Sequence, residues 1–413
     1  MKILLIHQYF LDEGDGGGSR FNELTKIWKQ KGADVTVIAG MVHYTTGLKK
    51  DKYKGKYFVK EINADGVEIH RCHVSEAYNS SFVGRLWAYF SFVFSSIWAG
   101  IFKVKGSYDV ILVTSPPLFV GITALILSKI KRLPLVFEIR DLWPESAIDT
   151  GVLTNKWIIK FAYWFEKTIY NNATLINTLT PAFEKKLKEE KNVPASKVVM
   201  IPNASDFSLS EKLLNTIDIA SERKKLGWEN KVVVTYVGAH GVANHLVQLL
   251  DAAELLKNTN VHFVMIGAGM LRDELIRDAQ SRNLTNVEFI GPVSKQEVFK
   301  YILASDIGTS VLKKVDTFKT VYSNKTFDYM SCKKPIIMVI DGVSRELVEK
   351  AECGIYAEPE NAQEIANKIK VYLDQPGLII QHGQNGYDYA LQHFDRQVLG
   401  EQYYNCLLKL KKY

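Results

Sequence analysis

Short apolar runs alternate along the chain with longer segments in which apolar residues recur at helical spacing. This alternation limits the possible folds more than any other feature of the sequence. Short runs typical of buried strands occur at 3–6, 35–39, 110–114, 135–139 and 174–178. Segments with apolar residues at helical spacing lie between them, as at 20–31. Strands that alternate with amphipathic helices form βαβ units with a parallel sheet. We therefore expect an α/β domain in the first half.

The second half repeats this alternation. Its predicted strands are 232–238, 261–267, 287–290, 307–312 and 335–340, with helices such as 246–256 and 270–282 between them. A polar segment, 201–224, separates the two halves. We predict a first domain over 1–205 and a second over 206–394, with a C-terminal helix at about 395–413 packing back on the first. Ligands of such sheets bind at the carboxyl ends of the strands, so two facing domains would hold a ligand between them.

Composition excludes several classes of protein. Apolar residues are 47% and charged residues 23% of the 413 residues, as in globular proteins rather than disordered chains. The net charge of +7 suits an anionic lipid surface or phosphorylated substrates and does not indicate nucleic acid. The four cysteines, at 72, 332, 353 and 406, lack metal-ligand spacing, and we expect reduced thiols in a cytosolic protein.

The segment 82–102 contains one charged residue, Arg85, among many aromatic residues. It could be a buried helix, a membrane span or an interfacial helix. A span would break the crossover between the flanking strands, and the serine, glycine and aromatic content favours an interfacial helix. A second apolar helix at 118–130 is closed by Lys129, Lys131 and Arg132. We expect 82–102 and 118–132 to contact an anionic membrane surface.

Two polar segments of the first half follow predicted strands. Residues 14–20 read G-D-G-G-G-S-R and precede a helix, which predicts either an anion-binding turn or a flexible loop. They match neither G-x-G-x-x-G nor a P-loop, which disfavours nicotinamide and ATP sites. Residues 137–146 read F-E-I-R-D-L-W-P-E-S. Their carboxylates and arginine are costly to bury unless they are ion-paired or functional.

Three segments of the second half could bind a phosphorylated ligand. Residues 236–241 and 266–272 carry glycines where strands end, although a glycine can also simply end a strand. In the third segment, 322–335, a helix over 324–330 would place Lys325 and Asp328 on one face. One cation can neutralise a diphosphate while one carboxylate accepts both ribose hydroxyls. A solvated Lys–Asp pair is the alternative, which the position before the strand at 335 disfavours.

These motifs, in this order, resemble the family 4 glycosyltransferases along essentially the whole chain. The glycine-rich turn, R-D-L-W-P-E, G-A-G at 267–269, F-I-G-P-V at 289–293 and S-N-K-T-F-D-Y-M at 323–330 carry the resemblance. R-D-L-W-P-E is similar to the branch that builds bacterial O-antigens and capsules and includes L-fucosamine transferases. The resemblance implies the GT-B fold, which is α/β with two Rossmann-like domains facing across a cleft.

The family implies that a sugar is transferred from a nucleotide donor, expected to be a UDP-sugar, with retention at the anomeric carbon. Neither a cofactor nor an essential metal is implied. The catalytic candidates are Arg140, Asp141 and Glu145, and no nucleophile is nominated. The donor-binding candidates are Gly17, Gly18, Gly238, His240, Gly267, Gly269, Val293, Ser323, Asn324, Lys325 and Asp328.

Two positions depart from the family pattern. Asp328 keeps the second of two carboxylates eight residues apart, whereas the first position holds Thr320. The family's basic residue after the first strand of the second domain would fall near Val242, where this chain is apolar, so His240 is the nearest substitute. We expect Lys325 to carry most of the charge opposite the diphosphate.

The resemblance also implies an acceptor that is a polyprenyl-diphosphate-linked sugar or another saccharide. The expected location is cytoplasmic and peripheral, on the inner face of the cytoplasmic membrane. A nucleotide-sugar 2-epimerase of the same fold is one alternative, which the aromatic segment 82–102 disfavours. A non-catalytic nucleotide-sugar-binding scaffold is another, which Thr320 and Val242 keep open.

Overall fold

The computed structural model describes residues 1–12, 15, 20–43, 46–79, 82–149, 151 and 153–411. The chain divides into two compact units, which are described separately below. The N-terminal unit comprises Met1–Pro202 and Gln397–Tyr413, and the C-terminal unit comprises Asn203–Arg396. The predicted α/β class is confirmed, since each unit is built on a largely parallel sheet with helices between its strands.

The sheet of the N-terminal unit has eight strands in the order β3-β4-β2-β1-β5-β6-β7-β8. Among the described residues of this sheet, only the pairing of β3 with β4 is antiparallel. The strands are β1 (Lys2–Ile6), β2 (Asp34–Gly40), β3 (Phe58–Ile62), β4 (Glu68–Cys72), β5 (Val110–Ser115), β6 (Leu135–Ile139), β7 (Leu175–Thr178) and β8 (Val198–Met200). The central strands β1, β5 and β6 are almost completely buried, as expected for a parallel sheet covered on both faces.

Helices cover this sheet, and sequence signals mark several of their starts. The side chain of Asn155 caps α5 (Lys156–Asn172), while Thr180 caps α6 (Pro181–Glu189) ahead of Pro181. Trp28 of α1 donates from Nε1 to the carbonyl of Gly400 at 3.0 Å, which joins the C-terminal helix α16 to this unit. The helices are α1 (Arg20–Gln30), α2 (Phe82–Phe102), α3 (Val120–Lys131), α4 (Glu145–Asp149), α5 (Lys156–Asn172), α6 (Pro181–Glu189) and α16 (Arg396–Leu408), the last beginning at the final residue of the C-terminal unit.

The C-terminal unit has a wholly parallel six-stranded sheet in the order β11-β10-β9-β12-β13-β14. The strands are β9 (Val232–Val237), β10 (Val261–Ile266), β11 (Val287–Ile290), β12 (Ile307–Val311), β13 (Ile336–Val339) and β14 (Gly354–Tyr356). The helices are α7 (Phe207–Leu214), α8 (Ile219–Lys225), α9 (Val247–Leu255), α10 (Arg272–Ser281), α11 (Lys295–Ala304), α12 (Asn324–Ser331), α13 (Val343–Lys350), α14 (Ala362–Asp374) and α15 (Gly377–His393). The main core packs β9, β10, β12 and β13 against α9 and α14.

Helix α2 has one buried face and one exposed aromatic face. Ser96 on its buried side shares a 2.8 Å hydrogen bond with Thr123 of α3. On the outer side, Trp87, Phe94 and Phe102 are 55%, 58% and 62% exposed. No helix in the described ranges combines the length and apolarity needed to cross a bilayer. The helix thus packs on the domain and leaves a stripe of large apolar side chains uncovered.

A second group of exposed aromatic side chains lies on α5, and rings that include the buried Phe119 and Phe165 connect it with α2. Ring contacts of 5.0 to 6.4 Å run from Phe94 through Phe90, Phe119 and Phe165 to Phe161. At the α5 end, Trp157 and Trp164 are 80% and 60% exposed. Exposed basic residues border these helices, namely Lys103, Lys105, Lys129, Arg132, Lys156 and Lys160. We call the exposed residues Trp87, Phe94, Phe102, Trp157, Phe161 and Trp164 the aromatic surface.

A buried ion pair joins three parts of the N-terminal unit. Arg20 opens α1 and binds both carboxylate oxygens of Glu138, at 3.0 and 3.1 Å. It also donates to the carbonyls of Ile201 and Pro202. Asn177 of β7 donates to the same carboxylate at 2.9 Å. Glu138 is fully buried, so the carboxylate of the F-E-I-R-D motif that we expected to be paired or functional is paired.

We predict that Glu138→Gln strongly destabilises this unit. The amide would present N–H donors to Arg20 and Asn177 and leave a buried guanidinium without its counter-charge, which costs about 3–5 kcal/mol. Chemical denaturation followed by circular dichroism measures the loss. The control is Glu189→Gln in the exposed Lys185–Glu189 pair. There the free energy of unfolding should fall by less than about 1 kcal/mol. Equal midpoints for the two variants would contradict the assignment.

Candidate functional site

The loops after β9 and β10 pack against each other with backbone in direct contact. Gly238 and Gly267 have φ angles of 146° and 142°, which L-residues rarely adopt. A Cβ on Gly267 would overlap the carbonyl of Gly238, and one on Gly269 would overlap the backbone of His240. The amide of His240 donates to Ala268 at 2.9 Å, and that of Leu271 donates to His240 at 3.0 Å. These glycines are therefore required by close packing at the carboxyl edge of the sheet.

Lys325 lies in the first turn of α12 beside this pair of loops. Its Nζ is 4.8 Å from the ring centroid of Tyr236 and 3.4 Å from Oγ of Ser323. A Cβ on Gly238 would come within 3.2 Å of its Cε. Burial lowers the pKa of Lys325 to about 8, and the charge of Asp328 opposes that effect only in part. An anion bound here would restore the charged form of the lysine.

Asp328 lies one turn further along α12 and is partly buried. Burial raises the pKa of its carboxyl to about 6, and the charge of Lys295 acts in the opposite direction. Lys295 forms a 2.5 Å ion pair with Asp206, whose negative charge adds to the rise in the pKa of Asp328. Asp328 can thus change between an acceptor and a donor of hydrogen bonds near pH 6.

Tyr329 fixes the position of α12 against the sheet. Its buried hydroxyl directs its single proton toward the carbonyls of Thr235 and Thr309, which lie at 3.1 and 3.2 Å, and accepts from the amide of Val237 at 3.1 Å. Its ring lies against Gly308, where a Cβ would overlap it. The hydroxyl therefore contacts β9 and β12 at once, so Lys325 and Asp328 stand on a helix that is held to both strands.

The other donor-site candidates occupy different surroundings. The ring of His240 is fully buried between those of Tyr236 and Phe289. Burial, with a smaller effect of Arg272, lowers its pKa to about 4, so the ring is neutral at pH 7. Val293 packs beside the cluster around Trp228. Asn324 is exposed at the start of α12 and accepts a hydrogen bond from Asn203.

The two departures from the family pattern also have defined places. Thr320 ends a 3-10 turn and donates from Oγ1 to the carbonyl of Thr317 at 2.6 Å. Val242 is 55% exposed at the start of another 3-10 turn, after β9. Arg272 was not among the predicted site residues, although its charge acts on His240. Its position at the end of G-A-G-M-L-R, directly after a predicted glycine loop, could have indicated it. Within the described ranges, no three His, Cys, Asp or Glu side chains group as metal ligands do.

The catalytic candidates of the N-terminal unit follow β6. Arg140 is partly buried, and its amide donates to Ser115 at 3.3 Å. Asp141 accepts a 2.8 Å hydrogen bond from Ser146, while burial raises its pKa and the charge of Glu145 adds to that rise. Glu145 binds Lys191 at 2.7 Å, although its Oε2 is buried without a partner in the part of the chain described. Arg140 and Asp141 are thus adjacent, and Glu145 belongs to an ion-pair cluster.

His7 is a polar side chain at this edge that the sequence did not single out. It follows β1 and is almost completely buried, so its pKa is well below the usual range because of burial, with help from the charges of Arg140 and Arg71. A lone histidine after a strand carries no distinguishing signal. The candidates Gly17 and Gly18 lie outside the residues that the structure describes.

Comparison with known proteins gives a consistent result for the two halves of the chain. The model "Glycosyl transferase 4-like domain" matches residues 15–204. The model "Glycosyl transferases group 1" matches residues 218–389. Together these ranges include both sheets almost entirely.

Similar proteins also match along most of the chain. The "Putative colanic acid biosynthesis glycosyl transferase WcaI" of Escherichia coli is 23% identical over 98% of this chain and 99% of its own length. The "N,N'-diacetylbacillosaminyl-diphospho-undecaprenol alpha-1,3-N-acetylgalactosaminyltransferase" of Campylobacter jejuni is 21% identical over 67% of this chain and 71% of its own length.

A solved structure supports the same assignment at the level of the fold. HepE from Anabaena, in complex with UDP-glucose, is similar with a TM-score of 0.72 and 19% identity, over 99% of this chain and 100% of that one. Since both family models match in order and the fold agrees over the full length, the chain is a glycosyltransferase of group 1, family 4, with the GT-B fold.

Proposed function

We propose that the protein is a retaining, metal-independent transferase that moves a sugar from a UDP-sugar to a lipid-linked or saccharide acceptor in the synthesis of a bacterial surface polysaccharide. One observation carries this proposal. Lys325 and Asp328 stand on one helix, beside the glycine loop after β9, where the sheet's carboxyl edge can receive a ligand. A cation for a diphosphate and a carboxylate for a ribose are thus close together.

The reaction requires stabilisation of negative charge on the leaving group. The bond between the anomeric carbon and the diphosphate oxygen breaks, and the acceptor oxygen bonds to the same face of that carbon. The acceptor proton passes to the leaving diphosphate. No protein nucleophile is required, and fixed positive groups aimed at the developing charge provide the stabilisation. Lys325 has this role, while Asp328 accepts the ribose hydroxyls. We assign Arg140 and Asp141 to the acceptor side of the chemistry.

Relatives support the choice of substrates. HepE is described in complex with UDP-glucose, and the Campylobacter enzyme is named for a diphospho-undecaprenol acceptor. The name of WcaI refers to colanic acid biosynthesis. Together with R-D-L-W-P-E, these names favour the O-antigen and capsule branch that includes L-fucosamine transferases. The donor base is taken as uridine on this support, and the transferred sugar is left to experiment.

A membrane surface is the place where a lipid-linked acceptor must be met. The aromatic surface combines large exposed rings with a border of basic residues, which is the composition of an interfacial site on an anionic bilayer. We therefore propose peripheral binding to the inner face of the cytoplasmic membrane through α2, the end of α3 and α5.

We expect the purified protein to form a glycosylated lipid when given a UDP-sugar from a panel and a polyprenyl-diphosphate-sugar acceptor, with turnover unchanged by EDTA. Lys325→Ala and Asp328→Ala should each reduce kcat/KM for the donor about 10- to 100-fold, the value of a charge-assisted hydrogen bond. The control is Lys370→Ala on an exposed part of α14. Epimerisation of the UDP-sugar without an acceptor would favour the nucleotide-sugar 2-epimerase. Binding of the UDP-sugar without turnover would favour the non-catalytic scaffold.

We predict that kcat/KM for the donor has a bell-shaped pH dependence. It should fall below about pH 6, where Asp328 gains a proton and no longer accepts two hydroxyls. It should fall above about pH 8, where Lys325 loses its charge. Asp328→Asn should remove the acid limb, and Lys325→Arg should shift the alkaline limb upward. Unchanged limbs in both variants would show that other groups control the profile.

We predict that replacing Trp87, Phe94 and Phe102 with serine abolishes flotation with anionic liposomes and leaves the thermal midpoint nearly unchanged, because these side chains are already exposed. Replacing Trp157, Phe161 and Trp164 should weaken flotation as well. Phe92→Ser, in the buried face of α2, is the contrasting control and should destabilise the fold. A wild type that does not float with liposomes would contradict the membrane assignment.

A further inference from the structure

The proposed donor site lacks positive charge at the position where the family pattern supplies it. Val242 is apolar, and the buried ring of His240 is neutral at pH 7. Lys325 remains and supplies one positive charge at this edge. A diphosphate ester carries two negative charges. One lysine therefore leaves one negative charge of the ligand without a counterpart, which favours a second cation nearby.

Arg272 stands at this edge of the sheet. It is the first residue of α10, and its amide donates to Gly269 at 3.1 Å, within the loop whose glycines touch the backbone of residues 238–240. Its charge is felt at His240, where it lowers the pKa of the ring. Gly238, in turn, lies against the aliphatic chain of Lys325. Each of the two cations thus borders one of the two glycine loops that are in contact.

The side chain of Arg272 is incompletely satisfied. Its Nε is buried and has no hydrogen-bond partner within the described part of the chain, and both ring nitrogens of the fully buried His240 share this condition. The guanidinium lies 3.9 Å from the carboxylate of Asp273, which is 86% exposed. Such a pair contributes little. The unpartnered Nε of Arg272, unlike the fully buried nitrogens of His240, belongs to a side chain that a further polar partner can reach.

The surroundings leave this edge open to solvent. Arg272 itself is 28% exposed. Met270, two residues earlier, is 82% exposed, and Val242 after β9 is 55% exposed. A ligand can therefore reach the guanidinium without displacing a packed element.

We infer that Arg272 is the second cation of the donor-diphosphate site and binds a phosphate group that Lys325 alone does not neutralise. This inference rests on the proposed function. Arginine suits the role because its guanidinium stays charged at all relevant pH values and can bind two phosphate oxygens at once. His240 is then a neutral packing partner that supports Arg272 and does not itself supply charge.

A rival cation lies on the opposite side of β9. Lys313 is exposed, and its amide donates to Ala243 at 2.8 Å, in the 3-10 turn that includes Val242. Its Nζ extends from a flexible side chain at the end of β12. The buried, unsatisfied Nε favours Arg272, and the experiment below compares the two residues directly.

The test is calorimetric titration of the full chain with uridine, UMP and UDP. Arg272→Gln should weaken UDP binding about 10- to 100-fold, as expected for loss of charge-assisted bonds. Uridine binding should not change. Arg272→Lys keeps the positive charge but cannot bind two phosphate oxygens at once, so it should lose less affinity for UDP than Arg272→Gln does. The matched control is Arg277→Gln, at an exposed position of the same helix.

The outcomes separate the inference from the function on which it rests. UDP binding that is sensitive to Lys325→Gln and Arg272→Gln, with uridine unaffected, supports the assignment. If Lys325→Gln weakens UDP binding while Arg272→Gln matches Arg277→Gln, the inference is overturned and the proposed function stands. A dominant effect of Lys313→Gln would reassign the second cation. If the wild type does not bind UDP, both the inference and the proposed function fail.

Discussion

A parallel sheet brings the carboxyl ends of its strands to one edge, and both units depend on that constraint. In the C-terminal unit, the loops after β9 and β10 and the start of α12 meet there. In the N-terminal unit, His7, Arg140 and Asp141 follow β1 and β6. Residues far apart in sequence come to the same edge because the strands are parallel. The chemistry assigned to each unit follows from that edge.

The two units hold this edge in different ways. The N-terminal unit uses charge, since the buried Arg20–Glu138 pair joins α1, β6 and residues 201–202. The C-terminal unit uses a neutral group, the hydroxyl of Tyr329, which contacts β9 and β12. The stability of the N-terminal unit should fall strongly when either partner of the buried ion pair is lost. The neutral hydroxyl of Tyr329 instead positions Lys325 and Asp328 and adds no charge of its own that could attract or repel a ligand.

Much of the fold could be predicted because buried parallel strands are continuous apolar runs. The strands predicted at 135–139 and 287–290 match β6 and β11, and the helix at 82–102 matches α2. Strands β3 and β4 were missed because charged and polar residues interrupt their apolar runs, which an edge strand such as β3 allows and which β4 accommodates with its buried His70 and Arg71. The place of Lys325 and Asp328 on one helix could be predicted from spacing. The satisfaction of Glu138 by Arg20, 118 residues away, could not, because it depends on tertiary contact.

The contact between the loops at Gly238, Gly267 and Gly269 has a consequence for how such a site can change. No side chain lies between the two backbones at these glycines. One loop therefore cannot move relative to the other by a change of side-chain rotamers at this contact. The two loops therefore form one rigid unit at the rim of the site. Substitutions that change which ligand is bound are expected at residues that project from these loops, such as Val242, Met270 and Arg272, and not at the glycines themselves.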